Sequence, residues 1–256
     1  MSRFHHADTA ALVLAAGRGK RMNSDLAKVL HPMAGQPLLA HVLGALDALG
    51  VGRVLIVVGH QRDRVRAAFA EAEADWVVQA EQRGTGRAVL VAGPALEEFG
   101  GTLLVVCGDT PLLRAGTLHA LLEHHRARGA AVTVLSTRVP DASGYGRIVR
   151  TPDGEGIAAI VEERDATAEQ KQTNEINSGI YAFEYPVLQE VLGRLTAHNA
   201  QGEYYLTDTV SLIQRAGRPA AVLCAEDYRE LLGINTPEQL AEAEQAWFAM
   251  RRGSGR

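Results

Sequence analysis

The chain has 256 residues, a formal net charge of −4, and 46% hydrophobic against 22% charged residues. That composition supports one large α/β core and, with neither a basic excess nor a block of like charge, excludes a broad nucleic-acid surface. No stretch reaches the roughly 18 apolar residues of a membrane span, the opening MSRFHHADTA has no apolar run of a signal peptide, and Cys107 and Cys224 are too few for a disulfide framework or a zinc ligand set. A cytoplasmic protein with no nucleic-acid or membrane partner is the expectation.

His5 and His6 are expected in a loose tail ahead of a first strand at 11–16. That strand opens into LVLAAGRGKRMNSDLAK, Leu12 to Lys28. Ala15, Ala16, Gly17 and Gly19 leave backbone N–H groups uncovered, and Arg18, Lys20, Arg21 and Lys28 add positive charge. Bare amides and cations at the end of a buried strand suit a phosphate. Met22 stands where the dinucleotide pattern needs Gly or Ala, and Arg21 where the P-loop needs Ser or Thr, so neither of those motifs applies. By itself the stretch reads equally well as a glycine-rich turn with surface cations.

Strand and helix patterns then alternate, which implies a sheet with crossover helices. Pro37 to Leu49 reads as a helix with Leu38, Val42, Leu46 and Leu49 on one face and Gly50 at its exit. A buried strand follows at 53–58, a helix at 62–73 and a strand at 76–78. In QAEQRGTGRAV, residues 79–89, Thr85 is a plausible N-cap, and glutamine amides match the edge of a nucleobase as well as they suit a polar loop. Residues 102–106 form a central strand ending in Cys107-Gly108-Asp109. An acid at that position faces the crevice where α/β sheets bind ligands and suits Mg²⁺; it also suits a turn before Pro111. Cys107 reads as a packing residue.

A helix at 115–127 carries His119, His124 and His125, none spaced i, i+4 from one another as paired ligands on one face would be, so no metal role is expected of them. A strand at 131–137 follows. After Pro140 the pattern changes to two short strands around Pro152-Asp153-Gly154, an insertion suited to a lid or second lobe. A strand at 175–183, a helix entered through 202–214 with Thr207 or Asp208 as cap, a strand at 220–224, and a last helix with Thr236 as N-cap and Pro237 as first residue complete the chain.

The fragments LAAGRGKRM with Lys28, QAEQRGTGRAV, GDTPLL, GYGRIV, IVEE, EINSGIYAF, GEYYLTD and GINTPEQL together resemble, in this order, the bacterial N-acetylglucosamine-1-phosphate uridylyltransferases, a branch of the sugar nucleotidyltransferases. The resemblance covers roughly residues 10–250. It implies a three-layer α/β/α, GT-A-like (Rossmann-like) fold with a mixed, mostly parallel sheet. A nucleotidyltransferase domain would occupy 8–236, with 140–183 in a small β-rich sugar-binding lobe and 237–256 as a C-terminal helix and tail. It also implies transfer of UMP from UTP to a sugar 1-phosphate with release of pyrophosphate. By position, Leu14, Ala15, Ala16 and Gly17 would contact the nucleotide, and Gln79, Gln82, Gly84 and Thr85 would read uracil. Arg21 and Lys28 would hold the triphosphate as catalytic residues. Gly146, Glu162 and Asn177 would hold the sugar, and Asp109 and Asn235 would carry Mg²⁺.

The sequence departs from the family in two ways. It lacks the hexapeptide repeats of the left-handed β-helix, so no acetyltransferase activity is expected, and assembly, which in the family draws on that part, stays open. Cys107 replaces the usual Tyr and Arg87 the usual His, which keeps two alternatives in play: another sugar 1-phosphate or nucleotide, or a nucleotide-sugar binding module without turnover.

Overall fold

In the computed structural model, which describes residues 4–253, the first strand β1 runs His6–Ala15. Its residues Ala10 to Val13 are fully buried, because parallel strands flank it on both sides: β4 (Val51–Val58) and β6 (Thr102–Cys107). Apolar side chains pointing both ways are the sequence signature of such a strand. The elements between and after these are β2 (Pro32–Met33), β3 (Gln36–Pro37), α1 (Leu38–Leu49), α2 (Arg62–Ala68), β5 (Asp75–Val78) and α3 (Thr85–Ala92). Then come α4 (Ala115–Ala127), β7 (Val132–Arg138), β8 (Arg147–Arg150), β9 (Ile157–Val161), β10 (Glu175–Glu184) and α5 (Tyr185–Leu192). The last are α6 (Asp208–Arg215), β11 (Ala220–Ala225) and α7 (Pro237–Gly253).

The main sheet has the order β11-β7-β10-β6-β1-β4-β5, and β10 is the antiparallel member between β7 and β6. The β8–β9 hairpin branches from β10 through the pair Ile176–Arg147. One face of the sheet packs against α1, α2 and α4 through side chains such as Leu46, Val65 and Leu118; the other packs against α3, α5 and α6 through Val89, Leu188 and Ile213. Two cores separated by a sheet make the three-layer α/β/α arrangement. Truncating any of these buried leucines would cost about 2–5 kcal/mol. A third, smaller cluster joins Met22, Met33 and Leu38 to Ile234 and Ala243, so α7 closes against the turn that follows the glycine-rich loop.

Four local expectations are corrected. His6 lies in β1 and is buried, because its backbone joins Gly50 (N–H to O, 2.8 Å) and its ring meets His119. The helix expected over 62–73 stops at Ala68, where Phe69 leaves helical geometry and packs against the core. Thr85 is the first residue of α3, not its cap; Gly84, with φ 97°, takes that place, and the Thr85 hydroxyl accepts from Leu206 N–H at 3.2 Å. Thr207 stands at the cap of α6 but directs its hydroxyl to Glu162 instead. Thr236 does cap α7, accepting from Gln239 N–H at 3.3 Å. No helix among the described residues is long and apolar enough to cross a membrane.

Candidate active site

The carboxyl ends of β1 and β6 open into a cavity of about 730 Å³. Its floor is the turn after β1: Leu14, Ala15 and Ala16 lead to exposed Gly17, and Gly19 adopts φ 61°. A Cβ on Gly19 would stand 2.7 Å from the Lys28 Cβ. Only glycine lets the loop pass that close, and the passage fixes where the Lys28 stem begins. On the β6 side, Gly108 N–H bonds Leu14 O at 3.0 Å, which brings Asp109 beside the loop.

Asp109, Asn235 and Lys28 form one charged knot. The Lys28 ammonium touches the Asp109 carboxylate and donates to Asn235 Oδ1 at 2.8 Å. The side chains of Lys28 and Asp109 are 14% and 16% exposed, so the pair is well shielded without being sealed. Asp109 O accepts from Ile234 N–H at 2.9 Å, and Asn235 is held by bonds from its N–H to Gln239 Oε1 and from its Nδ2 to Gly233 O. Two residues more than a hundred positions apart thus converge because the loop before α7 folds under the end of β6. A carboxylate and an amide oxygen aimed at one cation are the donor set a hard divalent ion takes.

At the other end of the cavity, Gln79 is buried and its side-chain amide donates to Gly84 O at 3.1 Å, holding the α3 entrance loop. Gln82 accepts from Arg18 Nε at 2.9 Å, which links that loop to the glycine-rich one. A Cβ on Gly84 would fall 2.5 Å from Tyr204 O, so the close approach of the loop before α6 requires glycine there.

The third wall comes from the β8–β10 lobe. Glu162 lines the cavity, and its Oε1 accepts from the Thr207 hydroxyl at 3.0 Å; burial pushes its carboxyl above the usual range. Gly146 lies against Glu162, and its carbonyl accepts from Asn177 N–H at 2.9 Å. Cys107 lines the floor, where burial pushes its thiol up to about 12, consistent with packing and far from a thiolate nucleophile.

Of the residues expected in the site, Leu14, Ala15, Ala16, Gly17, Lys28, Gln79, Gln82, Gly84, Thr85, Asp109 and Glu162 line this one cavity, and Asn235 is bonded to Lys28 at its edge. Gly146 and Asn177 sit behind the lining: Asn177 Nδ2 donates to the Tyr181 hydroxyl at 2.7 Å and its Oδ1 accepts from Gly179 N–H, so the amide braces β10. Arg21 is exposed in the turn Lys20–Met22, outside the lining, on the side where its charge reaches half-buried Tyr145. Arg18 and Lys20, read in the sequence as phosphate cations but given no role by the resemblance, line the cavity, as do Gln201, Glu203 and Tyr205 from the loop before α6. The charges of the first two and the aromatic–acidic motif GEYYLTD were the signals in the sequence.

A second polar cluster lies on the α4 side. His6 Nε2 and His119 Nδ1 are 3.0 Å apart with Glu123 beside them, near enough for one ion. Arg126 already fills that corner, bonding His6 Nδ1, Glu123 and Asp8 at 3.0 Å each, so the group is satisfied as a hydrogen-bond network around a guanidinium.

A glycine-rich turn with cations, an acid just past the end of the neighbouring strand and a two-glutamine loop thus share one cavity. Residues 11–142 match the MobA-like NTP transferase domain, and the chain belongs to that family. It is similar to the bifunctional protein GlmU of Pelobacter propionicus, 48% identical over 237 residues, covering 92% of this chain and 51% of that protein. It is likewise similar to GlmU of Streptomyces griseus, 48% identical over 242 residues, covering 92% and 50%. The chain therefore spans about half the length of the curated relatives it matches. A crystal structure of UDP-glucose pyrophosphorylase complexed with UDP-glucose shares the fold, with a TM-score of 0.74 at 19% identity over 94% of this chain and 99% of that one.

Proposed function

We propose that this chain transfers the uridylyl group of UTP to N-acetylglucosamine 1-phosphate, forming UDP-N-acetylglucosamine and pyrophosphate with Mg²⁺ in the cytoplasm. The observation that carries the reading is the knot of Lys28, Asp109 and Asn235 at the mouth of the glycine-rich turn. The similarity to GlmU over 92% of the chain supports the choice of nucleotide and sugar.

The attacking group is a sugar-phosphate oxygen that is already anionic near neutral pH, so no serine, cysteine or protein base is needed. The barrier lies in bringing two polyanions together and in stabilising charge on the α-phosphate and the departing pyrophosphate. At 4 Å two unit charges interact by about 4 kcal/mol at an effective dielectric near 20. Lys28, Arg18, Lys20 and Arg21 offset that repulsion, and the amides of Gly17 to Gly19 offer dipoles already oriented before reaction. Asp109 and Asn235 would hold Mg²⁺, which supplies divalent charge and a template for the phosphate oxygens. Gln79 and Gln82 would read a uracil edge, with Gly84 and Thr85 shaping the slot, while Glu162 would meet the sugar, with Gly146 and Asn177 behind it. Cys107, at the floor between the two ends, favours a second reading in which the same chemistry uses another sugar 1-phosphate.

A coupled assay for pyrophosphate, run over a panel of nucleoside triphosphates and sugar 1-phosphates with and without Mg²⁺, tests the proposal. Metal-dependent release with UTP and N-acetylglucosamine 1-phosphate is expected. Release only with another pair supports the second reading, and nucleotide-sugar binding with no release from any pair defeats both.

A further inference from the structure

The Lys28 ammonium stands between the Asp109 carboxylate and Asn235 Oδ1, the two oxygens proposed to take the divalent ion. We infer that Lys28 is a resident counter-ion: its ammonium and the divalent ion are alternative occupants of the Asp109–Asn235 pair, so that the nucleotide-free protein takes the ion poorly and an arriving triphosphate, by drawing Lys28 away, opens the pair to it. This rests on the metal assignment in the proposed function and adds an order of events to it.

Three features support the exchange. First, the residues that carry the oxygens are placed without Lys28. The Asp109 backbone is fixed by Ile234 N–H at 2.9 Å, and Asn235 by Gln239 at 2.8 Å and by Gly233 O at 3.0 Å, so both residues stay in position when the ammonium leaves. Second, the lysine has somewhere to go. It lines the same cavity as Gly17, Arg18 and Gly19, and its stem starts against Gly19, so a swing about its four-carbon chain carries the ammonium from the carboxylate to the loop amides where phosphate oxygens would lie. Third, simultaneous occupancy is unfavourable. An ammonium hydrogen-bonded to both oxygens fills the space an ion needs at about 2.1 Å from them, and a unit and a double positive charge a few ångströms apart repel in a shielded site.

Because binding free energies are reciprocal, whatever the triphosphate does for the ion, the ion does for the triphosphate. Lys28 would thus make metal and nucleotide enter together, leaving the empty enzyme with a neutralised carboxylate.

The test is direct binding of Mn²⁺ alone, read by loss of the free-ion electron paramagnetic resonance signal, on the full chain at low ionic strength and without nucleotide. Wild type is expected to bind weakly. Lys28→Met should bind at least tenfold tighter, and Lys28→Met with Asp109→Asn should lose the whole gain. Lys28→Gln serves as a second neutral variant should Lys28→Met fail to fold, with thermal melting as the check. Equal or weaker Mn²⁺ affinity in the neutral variants overturns the inference, as does a gain that survives Asp109→Asn. The pyrophosphate assay on wild type separates the two readings. Turnover without a Mn²⁺ gain in the variants sinks the counter-ion and leaves the enzyme, whereas a gain without turnover keeps the counter-ion and sinks the uridylyl transfer.

Discussion

The two ends of the cavity are built differently. At the end proposed for phosphate, the Lys28 side chain joins those of Asp109, just past the end of β6, and Asn235, in the loop before α7. At the lobe end, the residues bond to neutral groups around them: Gly146 O to Asn177 N–H, the Asn177 amide to the Tyr181 hydroxyl, and Glu162 to the Thr207 hydroxyl. The first end concentrates charge on a rigid sheet edge. The second offers a shaped polar wall on a hairpin that branches from β10. The difference teaches that chemistry should fail when the first is altered, while substrate choice should drift when the second is.

The largest break is expected from Asp109→Ala, which removes the only carboxylate of the knot and leaves the Lys28 ammonium partly buried with one partner fewer. Mg²⁺-dependent pyrophosphate release should fall to background, and ordinary release at ordinary Mg²⁺ would exclude Asp109 as ligand. Arg21→Ala should follow, lowering kcat/KM by roughly 10²–10³-fold if the exposed arginine folds onto the triphosphate during reaction. A variant with wild-type kinetics would leave that task to Arg18 and Lys20, which already line the cavity. Glu162→Gln probes the lobe end: it should raise KM for the sugar 1-phosphate by about tenfold, the cost of about one polar contact, with kcat nearly kept. An equal loss in kcat would move Glu162 into the chemistry.

The smallest effect on activity is expected away from the site, where the change is one of stability. Buried His125 is bonded to the Thr133 hydroxyl at 2.9 Å, and burial lowers its pKa from 6.5 to about 4. Between these values the unfolded chain binds more protons than the folded one, so stability is whole above pH 6.5 and declines as pH falls toward 4. The loss is on the order of 3 kcal/mol, from a shift of about 2.5 at 1.36 kcal/mol per unit. Denaturation midpoints for wild type and His125→Gln across that window check it. The variant should show a shallower acid slope with site kinetics unchanged, and parallel slopes would contradict the assignment.

The phosphate end was legible in the sequence because its logic is local and chemical. An apolar strand followed by Ala15-Ala16-Gly17 shows where amides are bare, and Asp109 directly follows a strand that is buried by its composition. The positions of the cations were harder. Gly19 turns the chain through positive φ, which turns Lys20 toward the cavity and leaves Arg21 outside, and no periodicity encodes that turn. The lobe end was less legible for a similar reason. A register shift between Asn177 and Ile180 in β10 directs the Asn177 amide at Tyr181, and the loop at 199–207 reaches the cavity only through long-range bonds such as Tyr204 N–H to Arg83 O at 2.9 Å. His6 was misplaced because a short polar stretch can still be a strand when Gly50 and His119 wait beside it.

The central claim is that positive charge and loop amides at the ends of β1 and β6 receive the triphosphate. A crystal structure with UTP and Mg²⁺ measures it most directly. The account predicts phosphate oxygens on the amides of Gly17 to Gly19, the ion between Asp109 and Asn235, and Lys28 moved from the carboxylate to a phosphate. A triphosphate bound away from that turn, with Lys28 still paired to Asp109, would contradict it.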